Sequence, residues 1–227
     1  MRFGCVFIVS SETGSMVRAD LNEVGKKRTA SKKARQRQLI RATVRSVARN
    51  GLSDTTMATV AGEAGLSQGI INLHFQSKDR LLVETLNFIA DEYRAAWEKA
   101  LANAGDATAD KLAALVAVDF RPPVCDRNKL AVWFAFWGES KSRPTYRKIC
   151  ARRDMDYRKE MVRLCELLIE EGSYGELEAR VVAMGLSSMT QGLWLDLLIN
   201  PRSLTREKAL NVCMNYLALA FHKHFRV

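Results

Sequence analysis

The chain has 227 residues, 48% of them apolar, enough for one large domain or two small ones with a packed core. Its formal net charge is +10, and its five cysteines are scattered without C-x-x-C spacing, which argues against a disulfide framework or a zinc site and favours a reducing cytoplasm. Its apolar N-terminal run, Phe3 to Val9, is too short to span a bilayer, so no membrane association is expected. Helical periodicity nearly throughout predicts an all-α protein.

Residues 1–30 are interpreted as a flexible leader, within which Met16 is an alternative start. A first helix is predicted from Lys32 to Arg49, ended by Asn50-Gly51. Its two faces differ in chemistry. The apolar face carries Leu39, Ile40, Val44, Val47 and Ala48, and the basic face carries Lys33, Arg37, Arg41 and Arg45.

A tight turn and a short helix follow. A second helix, capped by Thr56, begins near Met57 and is broken by Gly65, which suits the positive φ of a sharp turn. Ser67 stands at the next N-cap, where its hydroxyl is expected to accept the N–H of Gly69 or Ile70. The third helix is expected to turn Ile70, Ile71 and Phe75 inward and Gln68, Gly69, Asn72 and His74 outward. Together these elements predict a helix-turn-helix.

The positive charge lies around this turn. From Lys26 to Arg80 the chain carries twelve Lys or Arg against three acidic residues, a net of +9, and the remainder carries 23 against 22, a net of +1. A basic patch at a helix-turn-helix is typical of DNA phosphate binding. We therefore assign residues 31–80 to a DNA-binding domain.

A long fourth helix, Lys78 to about Asn103, is expected to link this domain to the remainder, residues 81–227. Five further helices are predicted, at Thr108–Phe120, Asn128–Ser142, Thr145–Glu171, Glu176–Ile199 and Thr205–His224. The last two are rich in apolar and small residues, which suits the four-helix bundle of a homodimer. The alternative is that they complete the core of a monomer.

The residues from Thr56 to Leu81 read T-x-x-x-V-A-x-x-A-G-L-S-x-G-x-I-x-x-H-F-x-x-K-x-x-L and resemble the TetR family of one-component transcriptional regulators. The resemblance implies phosphate contacts from Thr56, His74 and Lys78 and base or groove contacts from Gln68, Gly69 and Asn72. We group the capping residue Ser67 with these DNA-binding candidates. Many members have Tyr where this chain has Asn72, whose amide could instead read an adenine edge.

Two C-terminal segments narrow the resemblance. WFAFWGESKSRPTYRKI, from Trp133 to Ile149, and GLWLD, from Gly192 to Asp196, are similar to the BetI branch, the choline-sensing repressors of glycine betaine synthesis. The resemblance implies a repressor that binds double-stranded operator DNA as a dimer and controls genes of glycine betaine synthesis or choline metabolism.

The tryptophans suggest a ligand site. Trp133 and Trp137 are four residues apart and share a helix face, and several aromatic walls can hold a quaternary ammonium by its contact with ring faces. The alternative for each Trp is simple core filling. The candidate ligand-binding residues are the aromatic Phe120, Trp133, Trp137 and Trp194 and the carboxylates Asp119 and Asp196, with Glu139 and Asp154 behind them. If the cage is correct, Trp133→Ala should keep operator binding and lose the choline response.

The sequence also bears on other classes of function. An enzyme is disfavoured because no Ser-His-Asp or Cys-His arrangement, phosphate-binding Gly loop or H-E-x-x-H motif is present, and neither a cofactor nor a metal is expected at His222 and His224. A ligand-free architectural DNA-binding protein and a regulator that senses another hydrophobic or cationic compound stay open. A thermal-shift screen with choline, betaine aldehyde, fatty acids and aromatic drugs separates these possibilities.

Overall fold

A computed structural model describes the backbone of residues 13–226 and the side chains of residues 31–226. Within this range the chain forms nine α-helices and no strand, which confirms the all-α prediction. The helices are α1 (Thr13–Asp54), α2 (Met57–Ala64), α3 (Gln68–Phe75), α4 (Lys78–Ala102), α5 (Thr108–Val118), α6 (Arg127–Glu139), α7 (Pro144–Gly172), α8 (Ala179–Ile199) and α9 (Arg206–Ala220).

The first helix is longer than expected. It begins at Thr13 rather than Lys32, and the predicted stop at Gly51 is a break inside it, where φ is 77° and ψ is 175°. Glycine adopts this backbone conformation without the penalty that a Cβ imposes. Residues 1–12 of the expected leader lie outside the described residues, so its flexibility stays a prediction.

Helices α1 to α3 enclose a small core. The buried residues include Leu39 and Ile40 from the apolar face predicted for α1, as well as Ile71 and Phe75 from α3, whereas Ile70 is only half-buried. Val44 and Val47 of that face are buried in the larger core formed with the C-terminal helices, and Ala48 is half-buried against it. Between α2 and α3, Gly65 has φ 65°, and the N–H of Leu66 donates to the carbonyl of Ala61 at 2.9 Å. The predicted turn is therefore present, with glycine in the left-handed conformation that closes α2.

Two helices enter both the small core and the large C-terminal core. The start of α4 buries Leu81 in the small core, and its later turns bury Leu86, Ile89 and Tyr93 in the large one. The second half of α1 packs against α6 and contributes Val47 to the large core. The two ends of the molecule are thus joined through α4, as expected, and also through α1 and α6.

Helices α8 and α9 leave an apolar face uncovered. The exposed side chains on these two helices are Val181, Met184, Leu195, Ile199, Val212 and Leu219. Among the described helices, α8 alone is long and apolar enough to cross a membrane, with 33% of its apolar window buried. Helices of water-soluble proteins often have this length and apolar composition, so the composition of α8 is weak support for a membrane span.

Candidate functional site

The outer face of α3 offers a polar surface. Gln68, Gly69 and Asn72 are all exposed on this helix, as the pattern predicts. A Cβ built on Gly69 would approach only the Ser67 hydroxyl, at 3.8 Å, which is ordinary contact. The fold itself therefore does not require glycine at this position, and close approach of another molecule is a better reason for it.

Ser67 occupies the N-cap of α3, but the predicted side-chain hydrogen bond is wrong. Its hydroxyl makes no capping bond, and the N–H of Ile70 donates instead to the Ser67 backbone carbonyl at 3.1 Å. Because α3 begins with a tight turn, the amide of Ile70 forms an i to i+3 hydrogen bond with this carbonyl. That amide therefore does not need the Ser67 hydroxyl as an acceptor. The hydroxyl is left on an exposed residue, beside Gly69.

Thr56 and Lys78 are both engaged within the chain. Thr56 caps α2 in a reciprocal box, in which the N–H of Thr59 donates to Thr56 Oγ1 at 3.1 Å and the N–H of Thr56 donates to Thr59 Oγ1 at 2.8 Å. Lys78 Nζ donates to the carbonyl of Ser53 at 2.9 Å and ties the start of α4 to the end of α1. A phosphate contact from Lys78 would share this ammonium with Ser53.

His74 is half-buried near the end of α3. Burial, followed by the nearby charges of Lys32 and Arg35, lowers the pKa of His74 below its usual value. Its Nδ1 is buried without a hydrogen-bond partner. The imidazole is therefore neutral at pH 7, and a phosphate contact from it would be a single N–H donor rather than an ion pair.

One exposed residue of α3 was not predicted. Leu73 is 78% exposed, an unusual position for a leucine on a short helix. It follows Asn72 and lies one turn after Gly69, so it belongs to the same outer surface. Its position in the sequence was the available signal, since an outward set of Gly69 and Asn72 turns Leu73 outward as well. An apolar side chain at this place suits contact with a thymine methyl group.

Part of the basic charge is already balanced. Arg45 Nε lies 2.7 Å from Glu63 Oε1, and Arg49 Nη1 lies 3.0 Å from Glu63 Oε2. The hydrogen bond from Arg45 is the largest cause of a lowered pKa at Glu63. One carboxylate therefore holds two of the arginines on the outer face of α1.

The second site is an aromatic cage in the C-terminal domain, formed by Tyr93, Trp133, Trp137 and Trp194. These rings come from α4, α6 and α8, and they surround the guanidinium of Arg153 from α7. The Arg153 Cζ lies 4.0 Å from the ring centroid of Tyr93, 4.5 Å from Trp133, 5.3 Å from Trp194 and 5.8 Å from Trp137. All four distances fall within the range of cation–π attraction. The predicted tryptophan wall is therefore assembled, and it already contains a cation.

Arg153 is almost fully enclosed, with 5% of its side chain exposed. Its Nη1 donates to Asp154 Oδ1 at 2.6 Å. Its Nε is buried and has no hydrogen-bond partner. A buried donor left unpaired costs about 1–3 kcal/mol, so the cage holds this guanidinium with one donor unsatisfied.

Asp119, at the end of α5, lies beside the cage. Its carboxylate accepts hydrogen bonds from the hydroxyls of Tyr93 at 2.8 Å and Tyr157 at 2.6 Å, and its backbone carbonyl accepts one from Trp194 Nε1 at 2.7 Å. Burial raises the pKa of Asp119 to about 6, against the opposite effects of the two tyrosine hydroxyls and of Arg153. At pH 7 the group is therefore mainly a carboxylate, a counter-charge for a cation in the cage.

Two predicted ligand residues lie elsewhere. Asp196 is exposed and accepts a hydrogen bond from Asn200 Nδ2 at 3.2 Å. It follows Trp194 by two residues, about 200° around the helix, so it faces away from the cage. Phe120 is buried in the large core and does not line the cavity at Asp119. Asp196 and Phe120 are close in sequence to Trp194 and Asp119, but their side chains do not face the same site.

Three residues of the cage region were missed: Tyr93, Tyr157 and Arg153. A signal for Arg153 was present in the spacing of α7. Arg153 lies three residues after Cys150 and four residues before Tyr157, on the buried stripe that continues to Met161. The surrounding run of Lys and Arg concealed it, because such runs are usually solvated.

Little space is left beside the guanidinium. A cavity of about 20 Å³, bounded by Tyr93, Asp119, Arg153 and Trp194 among others, has room for about one water molecule. Arg153 and Tyr93 also border an open groove of about 300 Å³ between α4 and α7. Arg153 therefore lies between the small cavity beside Asp119 and a groove that is open to solvent.

Both halves of the chain match known families. Residues 39–85 match the family described as bacterial regulatory proteins, tetR family, and residues 108–222 match the family described as BetI-type transcriptional repressor, C-terminal. The chain is 33% identical over 185 residues to the HTH-type transcriptional regulator BetI of Burkholderia thailandensis, an alignment that covers 82% of this chain and 92% of that protein.

Solved structures share the fold. A transcriptional regulator from Pseudomonas aeruginosa PAO1 has a TM-score of 0.73 and 28% identity and covers 86% of this chain and 95% of its own. A regulator from Saccharomonospora viridis, solved in complex with choline, has a TM-score of 0.69 and 21% identity over 80% of this chain and 94% of its own. Together with the matches over residues 39–85 and 108–222, these similarities establish that the chain belongs to the TetR family of transcriptional regulators and carries a BetI-type repressor C-terminal domain.

Proposed function

We propose that this transcriptional repressor is regulated by choline or a related quaternary ammonium compound, and that it controls genes of glycine betaine synthesis or choline metabolism in the cytoplasm. The observation that carries the proposal is the set of four aromatic rings around a cation, with the Asp119 carboxylate beside them. A quaternary ammonium has no N–H to donate, so ring faces and a nearby carboxylate are the contacts that suit it.

The ligand class is tested by thermal shift and calorimetry. Choline and tetramethylammonium should raise the melting temperature and bind with measurable heat, whereas fatty acids and aromatic drugs should do neither. Trp137→Leu should weaken choline binding, because one wall of the cage is lost. Trp137 is preferred to the fully buried Trp133, whose truncation leaves a large cavity. The matched control is Phe225→Leu, since Phe225 packs against Phe221 after α9 and borders neither the cavity beside Asp119 nor the groove between α4 and α7. A positive shift with fatty acids alone would contradict the proposed ligand class.

Members of this family bind operator DNA as dimers and respond to small-molecule effectors. For this chain we place the dimer contact on the uncovered apolar face of α8 and α9, from Val181 to Leu219. Pairing these faces would form a four-helix bundle and remove the apolar side chains from water. The two α3 helices would then reach successive major grooves, about 34 Å apart.

The dimer contact is tested by the double variant Val181→Asp/Met184→Asp. Both residues are exposed, so the substitutions should leave the fold intact. Light scattering should then detect a monomer, and its operator affinity should be at least about a hundredfold weaker than that of the dimer. Ala102→Asp, on an exposed position at the end of α4, is the control and should stay dimeric. A double variant that remains a dimer would place the contact elsewhere.

A further inference from the structure

Arg153 occupies the position that an external cation would take. Its guanidinium is within 6 Å of four ring centroids contributed by three helices, while its backbone belongs to a fourth. The remaining cavity of about 20 Å³ is close to the size of one water. A trimethylammonium group is much larger than a water molecule, so it cannot enter while the guanidinium is inside.

The guanidinium is held incompletely. Its Nε is buried without a partner, and its contact with Asp154 involves a carboxylate that is partly exposed. A trimethylammonium group brings no donor into the cage, so an exchange of the two cations removes the unpaired donor. The exchange also leaves a positive charge near the Asp119 carboxylate in both states.

A path for this exchange is present. The open groove between α4 and α7 is bordered by Arg153 and Tyr93, so the side chain can turn outward without separation of the helices. Lys148 and Arg152 lie in the same groove, opposed by Asp91, and their charge disfavours a guanidinium there. This repulsion favours the inward position of Arg153 when no ligand is present.

On these grounds we propose that Arg153 is an internal competitor, which fills the aromatic cage in the ligand-free repressor and must be displaced by the cationic effector. The proposal rests on the function proposed above, because it presumes that the cage receives a quaternary ammonium ligand. It makes Arg153 a determinant of ligand affinity and selectivity: a ligand must hold the rings better than a guanidinium does.

The test is calorimetry with tetramethylammonium, which offers the cationic group and no other function. Arg153→Met and Arg153→Gln remove the competing charge, and Lys159→Met, at an exposed position of α7 that borders neither the cavity nor the groove, removes one positive charge outside the cage. We expect both Arg153 variants to bind tetramethylammonium at least about tenfold more tightly than the wild-type chain and Lys159→Met. Equal affinity in all four proteins would overturn the competitor role while the ligand class stands.

Two further outcomes separate the proposals. If choline binds the wild-type chain but not the Arg153 variants, Arg153 is a ligand contact and not a competitor. If neither wild-type nor variants bind any quaternary ammonium, the cage is not a cation site and both proposals fail.

Nuclear magnetic resonance gives a readout that does not depend on affinity. The Nε–H resonance of Arg153, among the ring faces, should be shifted upfield in the ligand-free protein and should move to the position of a solvated arginine at saturating tetramethylammonium. A resonance that stays upfield with the ligand bound would overturn the displacement.

Discussion

The outer face of α3, which we propose contacts DNA, and the aromatic cage, which we propose binds a cation, differ in whether their charged and polar groups are exposed to water. On α3 the candidate contacts Gln68, Gly69 and Asn72 are exposed to water. In the cage the rings enclose a guanidinium of the same chain, beside a buried carboxylate. A surface site can leave its polar groups to water, whereas a buried site with a carboxylate needs an internal cation because burial of an unpaired charge is costly.

This contrast predicts that a small substitution affects binding affinity differently at the two sites. On an exposed surface, added atoms matter only when the partner arrives. In a filled cage, the effect of a substitution depends on which cation is inside. The following variants test this difference, from the largest expected effect to the smallest.

Gly69→Ala should separate folding from DNA binding. The added Cβ meets nothing closer than 3.8 Å in the free protein, and alanine favours the helix, so the melting temperature should not fall. Operator affinity should fall by more than about tenfold, because the methyl group keeps the backbone of α3 from the groove. The measurement is fluorescence anisotropy with operator DNA selected by the purified protein.

The control for Gly69 is Gly138→Ala. Gly138 is an exposed helical glycine in α6 with no atom within 4 Å of its built Cβ. It should gain the same helix propensity and keep full operator affinity. Unchanged operator affinity in Gly69→Ala would show that α3 does not approach DNA at this residue.

Asp119→Asn should have a background-dependent effect on choline affinity. In the wild-type chain the carboxylate has a cation nearby before and after binding, so the change should be less than about threefold. In Arg153→Met the ligand enters a cage without a cation, so the same substitution should cost about tenfold. Calorimetry on the wild-type chain, Asp119→Asn, Arg153→Met and the double variant measures how strongly the effect of one substitution on choline affinity depends on the other.

Asp196→Asn is the control for Asp119, since its carboxylate is exposed and bonded to Asn200. It should leave choline affinity unchanged in both backgrounds. An equal loss from Asp119→Asn in both backgrounds would contradict the exchange of one cation for another.

The pH dependence of choline binding should be larger after Arg153 is removed than in the wild-type chain. Asp119 has a raised pKa of about 6 because it is buried, and Arg153 opposes that rise. Protonation below this pH removes the negative charge, so cation affinity falls as pH falls. The groups around Asp119 are Tyr93 from α4 and Tyr157, Arg153 and Asp154 from α7, with Cys125 and Cys213 at longer range.

In Arg153→Met we expect choline affinity to fall at least about fourfold from pH 7.5 to 5.5, the loss of ionised carboxyl over that interval. In the wild-type chain the change should be smaller. A pH-independent affinity in Arg153→Met would show that another group supplies the counter-charge.

Glu63→Gln should strengthen DNA binding slightly. The substitution releases Arg45 and Arg49 from their shared carboxylate, so more positive charge faces the phosphates. Operator affinity should rise about two- to threefold and its dependence on salt should steepen. The melting temperature should change little, because exposed ion pairs contribute little to stability. Weaker DNA binding would indicate that Glu63 orients these arginines.

Sequence periodicity was sufficient for the fold and for the position of the turn. Helical spacing and Gly65 located α2 and α3, because local backbone preferences decide such elements. Helix ends shifted by a few residues, as at α8, which begins at Ala179 rather than Glu176. The Ser67 hydroxyl could not be predicted, since its alternative is a backbone bond that depends on the exact geometry of the turn.

The cage was predictable in part. Spacing placed Trp133 and Trp137 on one face, and their convergence with Trp194 agreed with the expectation of aromatic walls. The sequence could not decide whether Asp119 or Asp196 lies beside them. That choice depends on how α5 and α8 are rotated about their axes, and no local sequence pattern determines this rotation. Arg153 was overlooked because the exposure of a charged residue is the usual case.

The proposed function requires that choline, on entering the cage in place of Arg153, changes operator binding. Tyr93 lies in the cage on the same helix as Lys78, roughly 22 Å along α4. Helix α6, which contributes Trp133 and Trp137 to the cage, packs against α1. The most direct test is operator affinity by anisotropy for the wild-type chain, Phe225→Leu and Trp137→Leu, without choline and at a choline concentration that just saturates the wild-type chain. Choline should lower operator affinity at least about fivefold in the first two and leave it unchanged in Trp137→Leu. An equal choline response in Trp137→Leu, or none in the wild-type chain, would contradict the claim.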